Sequence, residues 1–356
     1  MERSIRRSIA LMTVSTALSG ILYITPSAAL PQTEDPVAHA RLKEAQALVS
    51  VVYATLRGRF VPSERPFSWS NDFFKGENGN TYIPYTLTIE RAKLSTSTAA
   101  MYVFVTPRPQ AARKPAGPPT AQETEEPRPP PAPEAAFEAT SFIDLSTDRA
   151  QGVYRISRTF SVPAGNYDVY VALSPFAGTG TSPQVNPAAV MMIKQEVSVP
   201  DLWTSGLSSS TVVIADRVEA LKAPLTPEQQ DFEPYTLGTT RIVPAHETNL
   251  KKTDELAVIF FLYNQGLTAQ RKPDISIEYR FHKQGAGGET YFSKTAPQYF
   301  NSQTVPVFDV AAGHQLIAGQ AVSLRTFPEG AYRLEIRITD KTSGATLARN
   351  VNFGVR

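Results

Sequence analysis

The residue types able to do chemistry are few and scattered. The chain contains no cysteine, which excludes disulfides, thiolate zinc sites, iron–sulfur clusters, a cysteine nucleophile and an acylated N-terminal cysteine. Its four histidines, His39, His246, His282 and His314, stand far apart, without the close spacing that gathers imidazoles on one metal. His246 beside Glu247 and His282 near Arg280 read as surface polar residues. HExxH, GxSxG, P-loop and GxGxxG patterns are absent, which removes the common signatures of zinc hydrolysis, serine acyl transfer and nucleotide binding. Asp72, Glu77, Asn78 and Asn80 carry oxygen ligands, but not at the alternating positions of a calcium loop. Asn78-Gly79 reads instead as a hairpin tip. Glu123, Glu125 and Glu126 lie where no scaffold fixes their geometry for acid–base work. No catalytic residue, cofactor or metal ligand is therefore expected, and the chain is read as not an enzyme.

What remains is binding through aromatic surface. Trp203, in a predicted connector, and Tyr291, Phe292, Tyr299 and Phe300, around an expected loop, are the candidate contacts to a protein partner or a glycan. Exposed rings stack on sugars or anchor a partner, whereas the same rings buried would fill a core or an interdomain seam.

The elements that must position these rings follow from apolar periodicity. Between Asp35 and Arg57, Val37, Leu42, Ala45, Leu48, Val49, Val52, Tyr53 and Leu56 recur at helical spacing, with Asp35-Pro36 as a start signal and Gly58 as a stop. Beyond Gly58 the period becomes two. Tyr85, Leu87 and Ile89 alternate with polar residues, as do Tyr167, Val169, Val171 and Leu173, and later Ile275, Ile277, Tyr279 and Phe281. Tyr154, Ile156, Phe160 and Val162 follow the same rule, but Arg158 interrupts their apolar face. Leu256 to Asn264 is a near-continuous apolar run, as a central strand would show.

A six-residue pattern occurs twice. Val162-Pro163-Ala164-Gly165-Asn166-Tyr167 and Phe327-Pro328-Glu329-Gly330-Ala331-Tyr332 each lead into an alternating strand. Proline presets one turn position, glycine supplies a positive φ, and tyrosine opens the returning strand, as at the tyrosine corner of immunoglobulin-like sandwiches. The predicted fold class is all-β: two tandem immunoglobulin-like antiparallel β-sandwiches preceded by a signal peptide and a short helix. The expected divisions are a signal peptide at 1–29, an amphipathic helical leader at 30–57, a first sandwich at 58–200, a connector at 201–234 and a second sandwich at 235–356. Residues 106–136 hold 10 of the 29 prolines. They are expected to form a disordered, proline-rich insertion in the first sandwich.

Arg3, Arg6 and Arg7, the apolar stretch from Ile9 to Ile24 and the small residues before Ala29 compose an export signal. With 35 basic and 33 acidic residues in the whole chain, removing its three Arg and one Glu leaves 32 of each. A mature chain of zero formal charge argues against nucleic acid as a partner, and no later segment is apolar enough for a membrane span. The expected location is periplasmic or secreted, with a protein partner in the cell envelope or outside the cell.

Pro234-Tyr235-Thr236-Leu237-Gly238, Ile242-Val243-Pro244 and the corner running from Pro328 to Leu334 make the second half resemble the C-terminal β-sandwich modules of secreted bacterial proteins of unknown function. Such modules accompany von Willebrand A-type or GWxTD-type regions. Val199-Pro200-Asp201-Leu202-Trp203 and the stretch from Ser209 to Asp216 look like the connector of that group. The likeness covers roughly residues 80–356. The chain lacks both the GWxTD pentapeptide and an Asp-x-Ser-x-Ser metal motif, so no activity of those regions carries over. The resemblance implies an exported, non-enzymatic structural or protein-interaction role. The alternative is a carbohydrate-binding or adhesion module that uses the loop aromatics.

Overall fold

Alternating strands leave one apolar face each, and in the computed structural model these faces close into two β-sandwiches. The structure describes residues 36–58, 66–94, 96–108, 134–146, 152–176 and 189–356. The predicted signal peptide and residues 109–133 of the proline-rich insertion lie outside them.

The helix α1 (Pro36–Leu56) ends where Gly58 takes φ 68° and donates its N–H to the Thr55 carbonyl (2.9 Å). The first sandwich comprises β1 (Ser68–Asn71), β2 (Phe74–Lys75), β3 (Thr81–Glu90), β4 (Thr98–Pro107), β5 (Phe137–Asp144), β6 (Val153–Val162), β7 (Gly165–Phe176) and β8 (Met191–Val199). One sheet places β3 between β6 and the short β1 and β2, and the other runs β5-β4-β7-β8. Inward Ile83, Tyr85, Leu87, Met101, Val103, Phe160, Val169 and Val171 form the core between them. Strands β4 and β7 are apolar on both faces because Leu48 and Val52 of α1 pack on Ala100, Tyr102, Phe104, Tyr170 and Ala172 outside the sandwich. Glu44 of α1 is buried there and accepts a hydrogen bond from Ser174.

The second sandwich contains β9 (Ser208–Ser209), β10 (Val213–Ala220), β11 (Thr236–Leu237), β12 (Thr240–Pro244), β13 (Asn249–Leu250), β14 (Glu255–Tyr263), β15 (Ile275–Gly285), β16 (Gly288–Lys294), β17 (Gln298–Phe300), β18 (Leu316–Ser323), β19 (Gly330–Asp340) and β20 (Thr346–Val355). Its sheets run β11-β12-β10-β14-β18, with β9 on β14, and β13-β20-β19-β15-β16, with β17 on β15. This sandwich starts earlier than Tyr235. Strands β9 and β10 lie inside the predicted connector, yet both pair with β14. The two serines of β9 and the non-alternating sequence of β10 resemble a linker, and only a partner some fifty residues away reveals them as strands.

Both predicted corners are present. Tyr167 donates its hydroxyl to the Pro163 carbonyl (3.0 Å), and Tyr332 does the same to Pro328 (2.6 Å). Gly330 adopts φ 143°, and a Cβ there would sit 3.0 Å from the Lys283 side chain. The Tyr332 ring is fully buried among Phe292, Phe327 and Phe353. Tyr332→Phe keeps this packing and leaves a carbonyl without its partner, so thermal or denaturant unfolding should show a loss of about 1–2 kcal/mol. An unchanged stability would mean that the hydroxyl contributes nothing to the corner.

Candidate functional site

Strand β14 carries apolar residues on both faces. Leu256, Val258, Phe260 and Leu262 enter the second sandwich core, while Ile259, Phe261 and Tyr263 face outward. An outward apolar row needs a cover to remove it from water. Here the cover is Phe74 of the first sandwich, with Leu202, Tyr235 and Ile242. Phe74 meets Phe261 and Tyr235 edge-on, at ring separations of 5.7 and 6.5 Å, a favoured aromatic geometry.

The β2–β3 hairpin delivers Phe74 to this seam. Asn78 (φ 53°) and Gly79 (φ 81°) form its predicted tip, closed by the Asn80 N–H donating to the Glu77 carbonyl at 2.9 Å. Two successive positive φ values match a type I′ turn. Polar links then tie the hairpin and its flanks to the second sandwich. Phe73 and Thr211 exchange two bonds: Phe73 N–H to Thr211 Oγ1 (2.9 Å) and Thr211 N–H to the Phe73 carbonyl (3.0 Å). The Lys75 N–H donates to the Tyr263 hydroxyl (3.2 Å), and its ammonium donates to Asn264 Oδ1 (2.9 Å). Tyr82 donates to the Pro234 carbonyl (2.9 Å), and Tyr235 donates to the Asp72 carboxylate (2.7 Å).

Trp203 belongs to this seam. Its indole N–H donates to the Asn80 carbonyl (2.9 Å), and the Lys75 ammonium lies 4.3 Å from its ring centre. The residue is still 43% exposed. Burial drives the electrostatics around it. Burial lowers the Lys75 ammonium pKa, with Asp201 opposing the shift. It raises the Tyr82, Tyr235 and Tyr263 phenols. It also raises Asp72 to about 6, against the Tyr235 hydrogen bond. Alongside runs an open groove of about 850 Å³. Lys75, Glu77 and Tyr82 line one wall, while Leu237, Thr240, Gln315 and Ile317 line the other. Both sandwiches thus contribute to one mixed polar and apolar surface with a single lysine and a single glutamate.

The four remaining aromatic candidates are divided by strand alternation. They lie on β16 and β17, on either side of the loop 295–297, and neighbours on a strand face opposite ways. Phe292 and Phe300 turn inward to the core. Tyr291 (59% exposed) and Tyr299 (46%) turn outward. Tyr291 pairs with His282 and Tyr299 with Ser276 on β15, which separates the two rings by about 20 Å. Tyr291 meets the His282 ring edge-on, and Tyr299 lies 5.1 Å from the Lys341 ammonium. The face between them is charged and internally paired: Glu335 joins His282 (3.1 Å) and Arg337 (2.7 Å), and Glu289 joins Arg333 (2.5 Å). The arginines hold Glu289 and Glu335 below the usual carboxylate range.

Asp72, Lys75, Tyr82 and Tyr235 were not among the predicted contacts. The available signal was the uninterrupted apolar character of β14, which demands a covering element without naming it.

No family model matches the chain, and no curated protein matches it. Solved structures similar to it include a mutant Salmonella alpha-2-macroglobulin (13% identity, 83% of this chain and 17% of that chain, TM-score 0.18). Red sea bream transglutaminase is similar at 8% identity, over 85% of this chain and 33% of that one, with TM-score 0.22. The native conformation of E. coli alpha-2-macroglobulin is similar at 11% identity, over 83% and 16%, with TM-score 0.21. The chain spans between 16% and 33% of the length of these proteins.

Proposed function

We propose that this chain is an exported, non-enzymatic protein with a structural or protein-interaction role, working in the periplasm or outside the cell without a cofactor. The observation that carries this reading is the seam. Apolar packing and reciprocal hydrogen bonds fix two sandwiches to each other, and the groove beside them has walls from both. A surface built this way presents a fixed shape to a partner, and preorganisation lowers the ordering cost of association. The groove's one lysine is engaged in structure, its ammonium held by Asn264 and Trp203. The reading is consistent with the resemblance to secreted bacterial sandwich modules. A glycan platform needs neighbouring coplanar rings, and Tyr291 and Tyr299 stand too far apart to share one sugar.

A photoreactive amino acid placed at Gln315 of the mature chain tests this. The expected result is one discrete protein adduct in the envelope or medium fraction, competed by unlabelled chain and lost on filling the groove with Thr240→Trp. Retention of glycans on an array with no such adduct would overturn the reading in favour of carbohydrate binding.

A further inference from the structure

Strand β6 carries one side chain that neither the core nor the seam explains. Its inward positions are Tyr154, Ile156, Arg158, Phe160 and Val162, of which Ile156, Phe160 and Val162 are buried core residues. Arg158 stands in that row, directly opposite the buried Tyr85 of β3. A guanidinium on the inner face of a sandwich is costly unless its charge is matched. Yet among the described residues the Arg158 guanidinium donates only to the adjacent Ser157 carbonyl, from Nη1 (2.7 Å), and it lies 4.8 Å from the ring of Phe232. Among the described residues no carboxylate pairs with it. Burial lowers the Arg158 pKa, opposed through space by Tyr85 and by Asp231 beside Phe232.

Arg158 opens onto a cleft. Strands β5 and β6 are edge strands of opposite sheets, so the first sandwich is unclosed between them. The space there is about 670 Å³, with Tyr85, Met101, Phe137, Phe142 and Phe160 among its walls and Thr140 and Ser141 from β5 beside them. Phe232, 66% exposed, borders it over the guanidinium. Apolar walls around one convergent polar group, at a volume within the ~300–1,000 Å³ of small-molecule sites, describe a ligand pocket.

We propose that this cleft binds a small amphipathic monoanion, an alkyl or ring body bearing one carboxylate. The apolar body lies between β5 and β6, and the carboxylate accepts from the Arg158 fork, a match in shape and charge. A neutral ligand would bury the guanidinium further without a counter-charge. A doubly charged head would meet Asp231 at the rim, so a single negative charge fits best.

The test is titration calorimetry on the full mature chain with sodium decanoate, decanol and decyltrimethylammonium, each below its micelle concentration. Decanoate should bind saturably at one site, about 10–100-fold more tightly than decanol, the range expected for a charge-assisted hydrogen bond. Decyltrimethylammonium should not bind. Arg158→Met should abolish that preference for decanoate over decanol, and Arg158→Lys should keep part of it, with circular dichroism confirming that both variants fold. Equal binding of decanoate and decanol, decanoate binding unchanged in Arg158→Met, or no saturable decanoate binding would each overturn the assignment.

Discussion

Asp340→Ala is expected to destabilise the second sandwich by about 3–5 kcal/mol, among the largest single-residue effects in the chain. Asp340 is completely buried. One carboxylate oxygen accepts from the Thr342 (3.0 Å) and Ser343 (3.3 Å) N–H groups, and the other from the Gly266 N–H (2.6 Å) and the Ser343 hydroxyl (2.7 Å). These donors come from the β19–β20 turn and from the loop after β14, strands of opposite sheets, so one side chain ties the two layers together. Alanine leaves four donors without their acceptor and removes the link between the turn and the loop. An asparagine side chain keeps one acceptor oxygen but sets an amide N–H₂ against the other donors, so Asp340→Asn should recover only part of the loss. Gly266 is part of the same contact: a Cβ there would lie 3.1 Å from the carboxylate. Denaturant unfolding of the full chain, followed by far-ultraviolet circular dichroism, measures the effect. A loss below ~1 kcal/mol would mean that solvent or a neighbouring group replaces the carboxylate.

The second large effect depends on pH and resides in the seam. Burial raises the Asp72 carboxyl from 3.8 to about 6, and the Tyr235 hydrogen bond only partly opposes this. The native chain therefore binds more protons than the unfolded chain between about pH 4 and pH 6. Stability from this group is fully present below the unfolded pKa and is lost as pH rises through the folded one. The loss amounts to at most about 3 kcal/mol between about pH 4 and pH 7. Asp72→Asn keeps an acceptor for the Tyr235 hydroxyl and removes the buried charge. It should therefore match the parent near pH 4 and exceed it by up to ~3 kcal/mol at about pH 7. Parallel stability profiles for the two proteins across this range would show that the carboxyl is solvated in the folded state. The parent should also be easiest to open at the seam at neutral pH, where Asp72 carries its charge.

The parts of this protein legible from sequence are those set by neighbours along the chain. Helical periodicity marked α1, and strict alternation marked most long strands. Proline, glycine and tyrosine at fixed offsets marked both corners, and Asn78-Gly79 marked its turn, because φ preferences and side-chain direction are local properties. Arg158 was equally visible as a break in an apolar face. What that break opens onto was not, since the cleft exists only because β5 and β6 end opposite sheets. Likewise β9 and β10 became strands by pairing with β14. One residue of each pair, Tyr291-Phe292 and Tyr299-Phe300, was sent inward once β16 and β17 formed.

Composition and pattern alone determined an all-β chain of two sandwiches with a leading helix and without the common motifs of catalysis. Tertiary structure alone decided that Phe74 covers β14, that Trp203 and Lys75 stack beside a shared groove, and that the half-buried Asp72 meets Tyr235. The division has one physical cause. Backbone preference and alternation act over a few residues, whereas burial, and the pKa shifts and unpaired charges that come with it, depends on which distant faces meet.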